Sequence, residues 1–170
     1  MNIIGPDALV FGVENIKDCE QYLQDYGLEP AGEGAFKALD GTSIIVRAKD
    51  DPSLPEPLAS GNMLRKTIYG VADQTTLDAI ATNLSQDRDV KTLADGSIES
   101  KDDMGFALGF QITVRQSLSM PAEAVNAPGA PPQRPVNVIA ADPDGAPKPR
   151  TLSHVVYFVP DIERAEAFYV

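Results

Sequence analysis

Three stretches of the chain share one pattern of apolar and polar positions. In each, a short apolar run typical of a strand leads to an Asn or Asp seven positions after its first residue. Asn and Asp are favoured helix N-caps, because their side chains accept a hydrogen bond from the first helical turn. The stretches are residues 8–15, 66–73 and 154–161, with the cap residues Asn15, Asp73 and Asp161. The pattern predicts three copies of a strand followed by a capped helix.

Each predicted helix places its apolar residues on one face, at the intervals of three and four residues that are typical of an amphipathic helix. This face holds Ile16, Cys19, Leu23 and Tyr26 in the first helix and Leu77, Ile80, Ala81 and Leu84 in the second. Gly27 predicts the end of the first helix. The third helix begins after Asp161, but no glycine and no basic last turn closes it. We therefore expect the chain to be the front part of a longer protein.

A second repeated feature indicates duplication. Asp40-Gly41 and Asp95-Gly96 are each flanked by strand-like sequence, and Asp-Gly is a strong signal of a two-residue hairpin with positive φ at both residues. These turns lie 55 positions apart, and the first two apolar stretches lie 58 positions apart. Two features at nearly one offset favour an internal repeat. Each repeat is predicted to be a strand, a helix and then two or three antiparallel strands.

A Pro-rich segment separates the second repeat from the third stretch. Eight of the 14 prolines fall between Pro121 and Pro149. Proline has no backbone N–H to donate and disfavours both helix and central strand. Residues 118–150 are therefore predicted to form an extended linker.

The charge balance limits the classes of partner. Asp and Glu outnumber Lys and Arg by 25 to 14, which gives a net charge of −11. Such a balance disfavours nucleic acid and anionic membranes as partners, and no apolar run is long enough to span a bilayer. Cys19 is the single cysteine, which excludes an internal disulfide framework, and the N-terminus lacks the features of a signal peptide. We expect a protein of the reducing cytoplasm.

The tandem unit, with a histidine seven positions before the cap of the third stretch, resembles the vicinal oxygen chelate superfamily. The resemblance is carried by His154-Val155-Val156-Tyr157-Phe158-Val159-Pro160-Asp161 and by the helix face of Ala165, Phe168 and Tyr169. That superfamily includes glyoxalase I, bleomycin-resistance proteins and extradiol ring-cleavage dioxygenases. Two units before a linker, then a third unit that bears the histidine, look most like the N-terminal part of a type I extradiol dioxygenase.

The resemblance implies a fold and a domain division. The fold is α+β, with tandem βαβββ modules that form a curved, cup-like, mainly antiparallel sheet. Residues 1–117 would be a metal-free N-terminal domain of two modules. Residues 118–150 would be the linker, and residues 151–170 would begin a truncated third module.

The resemblance also implies a metal site. At the position of the family's first ligand the three stretches have Ala8, Lys66 and His154, and only the histidine is suited to ligate. His154 is thus implied to be one of two histidines that hold Fe(II) together with a glutamate, with Mn(II) or Zn(II) as alternative metals. The other two ligands would lie beyond Val170. The isolated chain is expected to hold no metal, because one imidazole cannot retain Fe(II).

The implied reaction opens a catecholic ring with O₂. The implied partners are therefore a small aromatic substrate and O₂, and the chain is expected to form a homo-oligomer.

From the residues alone, His154 has a plainer interpretation as a strand histidine that is hydrogen-bonded or solvated. Strand alternation places Val156 and Phe158 on the face of His154 and Tyr157 on the opposite face, where packing is expected. Two other functions stay open. One is a non-enzymatic module that binds a small molecule or mediates dimerisation, and the other is a glyoxalase-like, metal-dependent lyase or isomerase.

Overall fold

The computed structural model describes residues 2–61, 63–120, 131–133, 136–137, 144–146 and 148–170. The first repeat comprises β1 (Ile3–Val13), α1 (Ile16–Asp25), β2 (Glu29–Pro30), β3 (Ala35–Lys37) and β4 (Ser43–Ala48). The second comprises β5 (Met63–Val71), α2 (Gln74–Leu84), β6 (Lys91–Thr92), β7 (Ile98–Lys101) and β8 (Ala107–Ile112). The last element is α3 (Ile162–Tyr169). Much of the predicted linker at 118–150 lies outside the described residues.

All three predicted helices form, and each begins after its predicted cap. Asn15, Asp73 and Asp161 have extended backbones, and each side chain accepts a hydrogen bond from the backbone N–H three residues ahead. The Asp73 bond, from the N–H of Thr76, is 2.7 Å long. These caps satisfy N–H groups that a helix start would otherwise leave without partners.

The eight strands form one open sheet in the order β2-β3-β4-β1-β5-β8-β7-β6. The order is symmetric about the β1–β5 pair, which is antiparallel, and each half contains one parallel pair, β1 with β4 and β5 with β8. Every other pairing is antiparallel. The predicted α+β fold of two βαβββ units in a mainly antiparallel sheet is therefore confirmed.

The two Asp-Gly turns are hairpins, but they are not equivalent positions of the repeat. Asp40-Gly41 joins β3 to β4, whereas Asp95-Gly96 joins β6 to β7. The counterpart of the first turn is the β7–β8 connection at residues 102–106. The alignment of the turns was wrong because α2 is followed by a longer connection than α1, which shifts every later strand of the second repeat.

The conformation of these turns also differs from the prediction. Only the glycines adopt positive φ, at 91° for Gly41 and 85° for Gly96. In each turn the glycine N–H bonds back to the carbonyl three residues earlier. This is the arrangement of a three-residue loop with a glycine bulge, so the aspartates keep ordinary backbone angles. Their carboxylates instead accept hydrogen bonds from Thr42 and Ser97.

The helices α1 and α2 each cover one half of the sheet, and each encloses a separate apolar cluster. The first cluster consists of Val13, Leu23, Leu28, Phe36, Ala38 and Val46. The second consists of Val71, Leu77, Ile80, Ile98, Phe106, Leu108 and Phe110. Burial of a side chain of this size contributes about 1.5–3 kcal/mol, so these two clusters are the main source of stability.

The strand predicted at the start of the third stretch does not form, and residues 152–159 have no regular secondary structure. The segment is extended and its burial alternates, with Val155, Tyr157 and Val159 more buried than their neighbours, but it belongs to no ladder among the described residues. A strand exists only where its backbone groups pair with those of a neighbour, and sequence pattern alone cannot supply that neighbour. The helix that follows, α3, needs only local hydrogen bonds and forms as predicted.

Candidate functional site

His154 lies on the solvent-facing side of the extended segment 151–159. Its side chain is exposed, and Nδ1 lies 3.0 Å from the Ser153 hydroxyl. Val156 and Phe158 share its face as predicted, and they are 73% and 103% exposed. In the described part of the chain, His154 thus stands at one end of an uncovered apolar strip rather than in a closed pocket.

His154 has no cluster of metal-ligating side chains around it in the described ranges. No group of three or more His, Cys, Asp or Glu side chains in these ranges is arranged to hold a metal ion. A facial iron site needs two imidazoles and a carboxylate. His154 has the right chemistry and accessibility to be one of these ligands, but the described residues do not form a complete site.

The opposite face of the segment docks on the second repeat through Tyr157. Its ring lies 4.9 Å from that of Phe106 and 6.1 Å from that of Tyr169, measured between centroids. Its hydroxyl donates to Thr67 Oγ1 and lies 3.2 Å from the hydroxyl of Tyr69. The predicted packing role of Tyr157 is therefore confirmed.

Burial raises the pKa values of the three tyrosines at the docked tail, Tyr69, Tyr157 and Tyr169. Burial raises the pKa of Tyr157, although its hydrogen bonds with Thr67 and Tyr69 act in the opposite direction. Burial and the bond with Tyr157 raise the pKa of Tyr69 far above its ordinary value. Burial and a 2.9 Å bond to Asp102 do the same for Tyr169. All three stay neutral phenols near pH 7. Their hydrogen bonds and ring contacts hold the tail in place.

Arg115 anchors the start of the same segment. Its Nη2 donates to the carbonyls of Pro6 and Leu152 at 2.7 and 2.6 Å, and its Nη1 donates to Thr151 Oγ1 at 2.7 Å. The guanidinium therefore joins β1 to the segment that leads to His154. Because its donors have a fixed planar geometry, it sets the position of that backbone.

The guanidinium is held in turn by the buried carboxylate of Asp7, whose Oδ1 lies 3.5 Å from Arg115 Nε. Asp7 is fully buried and accepts hydrogen bonds from Gln111 Nε2 at 3.2 Å, Thr113 Oγ1 at 3.0 Å and Val114 N at 2.9 Å. A buried carboxylate with three donors and a cationic neighbour is satisfied without a metal. We call Asp7 and Arg115 the anchor pair.

The β3–β4 turn completes the attachment. The N–H groups of Leu39 and Asp40 donate to the carbonyls of Pro149 and Arg150, both at 3.0 Å. Burial alone would raise the pKa of Asp40, but hydrogen bonds from Thr42 and Thr151, with the Arg115 charge, outweigh it and lower that pKa. The Asp40 carboxylate is therefore ionised where the tail is docked.

The positions equivalent to His154 in the first two repeats were predicted to bind no metal. Ala8 is buried in the sheet at 6% exposure. Lys66 forms an ion pair with Glu99, and their side chains are 16% and 28% exposed. Glu99 lies on β7, and its carboxylate engages the ammonium group of Lys66. Neither side chain is available as a metal ligand in this arrangement.

A cavity of about 430 Å³ lies beside this ion pair. Its walls include Leu54 and Pro55 from the β4–β5 loop and residues of β5 to β8. Arg65, which is 5% exposed, fixes the loop by donating to the carbonyls of Lys49 at 2.9 Å and Pro55. Sequence reasoning missed this role, since nothing in the pattern marks Arg65 as a ligand of carbonyl groups.

Among the described residues, no helix combines the length and apolar character needed to cross a bilayer.

The sequence matches no family model and no curated protein. Among solved structures, a catechol 2,3-dioxygenase is similar over 99% of this chain, with 17% sequence identity and a TM-score of 0.62. The chain has the vicinal oxygen chelate fold. It covers 54% of the dioxygenase chain and so spans about half of its length. A structure described as a possible glyoxalase from Bacillus cereus matches over 64% of this chain and 98% of its own, with 15% sequence identity. Its TM-score of 0.27 is too low to support an argument about the fold.

The likeness to the dioxygenase structure extends over the tail as well as the two repeats. The match covers 99% of the chain, so it includes nearly all of the segment around His154 as well as the eight-stranded sheet. The resemblance stated from the sequence is thus confirmed for the fold.

Proposed function

We propose that this chain is the N-terminal portion of an Fe(II)-dependent extradiol dioxygenase, and that His154 is one of its iron ligands. The observation that carries the proposal is the 99% coverage of this chain by its match to a catechol 2,3-dioxygenase. In this scheme the two βαβββ repeats within residues 1–117 are a metal-free domain. Residues 118–150 are a linker, and residues 151–170 begin a catalytic module.

The exposure of the His154 face supports this assignment. The two residues that share this face with His154, Val156 and Phe158, are large, apolar and exposed. Water-exposed apolar side chains in a strip of this kind are typical of a surface that another element covers. In a complete module, neighbouring strands would cover the strip and would bring further ligands to the imidazole.

The residues of this chain have a defined part in that chemistry. Fe(II) held by two imidazoles and one carboxylate keeps open positions at which a catechol and O₂ can both bind. His154 would supply one of those imidazoles. The anchor pair and Tyr157 would position the backbone that carries it, because they fix the segment on both sides of residue 154.

The test uses the protein expressed from its complete reading frame. We expect O₂ uptake with catechol and bound iron, and we expect both to be lost in His154→Ala. The loss should exceed the roughly 10–100-fold that removal of an outer-shell partner costs. The matched control is Ser153→Ala, which removes the hydroxyl 3.0 Å from Nδ1 but keeps the imidazole. It should retain both iron and O₂ uptake.

The same assay separates the alternatives. A glyoxalase-like lyase or isomerase would depend on metal and on His154 but would consume no O₂. A non-enzymatic binding module would keep its ligand affinity after metal is removed by a chelator. Full iron content and O₂ uptake in His154→Ala would contradict the ligand role directly. We further propose a cytoplasmic homo-oligomer, which size-exclusion chromatography with light scattering can test for the oligomeric state.

A further inference from the structure

The cavity beside the Lys66–Glu99 ion pair is lined by side chains of β5, β7 and β8 that lie on the sheet face opposite α2. Lys66 on β5 pairs in register with Ala107 on β8, and Ala107 pairs with Lys101 on β7. Residues in register on neighbouring strands point to the same face. One row across three strands therefore places a small apolar residue between two lysines.

The adjacent row adds one acidic and one basic group. Glu99 lies two residues before Lys101 and therefore on the same face, and its cross-strand partner on β6 is Lys91. Lys66, Lys91, Glu99 and Lys101 all line the cavity. On the sheet itself three lysines accompany one glutamate, and Asp89 of the α2–β6 connection adds a second carboxylate to the cavity wall.

Lys91 and Lys101 differ from the third lysine of the wall in having no ion-pair partner among the described residues. Glu99 is engaged by Lys66, and no carboxylate pairs with the ammonium of Lys91 or Lys101 within the described ranges. The other cation of the wall, Arg88, is paired with two carboxylates, those of Asp87 at 2.6 Å and Asp103 at 2.9 Å. The cations left for an incoming anion are thus the two lysines at the β6–β7 side.

The remaining wall is apolar and fixed. Leu54 and Pro55 face Ala107 across the cavity, and Leu54 is 8% exposed. The three carbonyl bonds of Arg65 hold this loop in place, so the apolar wall is present before any ligand arrives. The volume of about 430 Å³ lies within the roughly 300–1,000 Å³ of small-molecule pockets.

We propose that this cavity binds a small organic carboxylate. Its anionic end would lie between Lys91 and Lys101, and its apolar body would pack on Leu54, Pro55 and Ala107. The site is separate from His154 and uses only residues of the first 117 positions, so it does not depend on the proposed dioxygenase activity.

Glu99 gives the proposal a distinctive consequence. Its carboxylate pairs with Lys66, lies in register with Lys91 and would repel a bound carboxylate on the same face. Glu99→Gln removes that negative charge with little change in shape and frees Lys66. A bound carboxylate should therefore be held more tightly in Glu99→Gln than in the wild type.

The experiment is an NMR titration of the full 170-residue chain with benzoate, with the neutral isostere benzamide as the ligand control. We expect saturable shifts of the backbone amides of Lys66, Glu99 and Ala107 with benzoate and none with benzamide. The double variant Lys91→Met/Lys101→Met should weaken benzoate binding about tenfold or more, and Glu99→Gln should strengthen it about threefold. Binding should weaken as salt is raised, because the lysines are partly exposed.

Lys37→Met is the matched protein control, since it removes an exposed lysine from β3 in the other repeat and should leave benzoate affinity unchanged. Circular dichroism of each variant establishes that it is folded before its affinity is compared. Equal shifts with benzamide, or shifts confined to residues outside the cavity, would overturn the proposal. So would an unchanged affinity in the double lysine variant or a weaker affinity in folded Glu99→Gln.

Discussion

Gly70→Ala is the sharpest perturbation of the anchor that positions His154. A Cβ at residue 70 would lie 2.4 Å from Asp7 Oδ1 and 2.5 Å from its Cγ and Oδ2. These distances are far inside van der Waals contact, and Asp7 is fully buried with no room to retreat. The backbone of Gly70 has no unusual φ, so the effect of the substitution comes from the clash with the carboxylate.

The magnitude follows from what the Asp7 carboxylate would lose. Displacing it breaks hydrogen bonds from Gln111, Thr113 and Val114 and separates it from Arg115. Breaking a buried ion pair by removing one partner costs roughly 3–5 kcal/mol, and here the carboxylate would also lose its three hydrogen-bond donors. We expect Gly70→Ala to lower the free energy of unfolding by about that amount, a large part of the total stability of a domain this size.

The assay is urea denaturation followed by circular dichroism, with Gly109→Ala as the matched control. A Cβ at Gly109 would lie 3.2 Å from Ile68 Cγ1, so this apolar neighbour needs to move by only a few tenths of an ångström and the cost should stay below about 1.5 kcal/mol. A double-mutant cycle with Asp7→Ala isolates the clash, because Gly70→Ala should cost little once the carboxylate is gone. Equal costs in the two backgrounds, or equal costs for the two glycines, would refute the reasoning.

Three further outcomes are expected. Tyr157→Phe removes the bonds to Thr67 and Tyr69 and should weaken tail docking by about 0.5–1.5 kcal/mol, seen as faster hydrogen exchange in 155–169 but not in α1. Because the pKa of Asp40 is lowered in the folded state, its contribution is present above the ordinary value of 3.8 and is lost as pH falls below it. The protection of the Leu39 and Leu152 amides, measured against their intrinsic exchange rates, should therefore fall with acid in the wild type and change less in Asp40→Asn. An equal fall in both proteins would contradict the linkage. Phe158→Ser should change the free energy of unfolding of this chain by less than about 0.5 kcal/mol, because the Phe158 ring is fully exposed. Leu108→Ala in the core should instead cost about 2–5 kcal/mol. Comparable losses for the two variants in urea denaturation would show that the Phe158 ring is covered.

The local features of the fold could be predicted from the sequence, and the non-local ones could not. The caps at Asn15, Asp73 and Asp161 were correct because capping depends on a few consecutive residues. The alignment of Asp40-Gly41 with Asp95-Gly96 was wrong because a hairpin signal does not state which two strands it joins. The missing strand at 152–159 is an error of the same kind.

The residues that hold the tail were missed for a related reason. Asp7 lies within a strongly apolar strand, and a lone carboxylate in such a strand was the available signal that a buried partner exists. Arg115 follows β8 with no pattern that marks it, and 108 positions separate it from Asp7. Which distant cation meets that carboxylate depends on the sheet order, which only the structure supplies.

The most direct test of the central claim is to sequence the reading frame beyond codon 170. If the chain is the N-terminal portion of an extradiol dioxygenase, the frame continues for a comparable length and encodes two further βαβββ patterns. Those patterns complete the module that His154 opens and supply a second strand-borne histidine and a later glutamate. A stop codon directly after Val170 would contradict the dioxygenase account and leave His154 as a solvated histidine of a binding module.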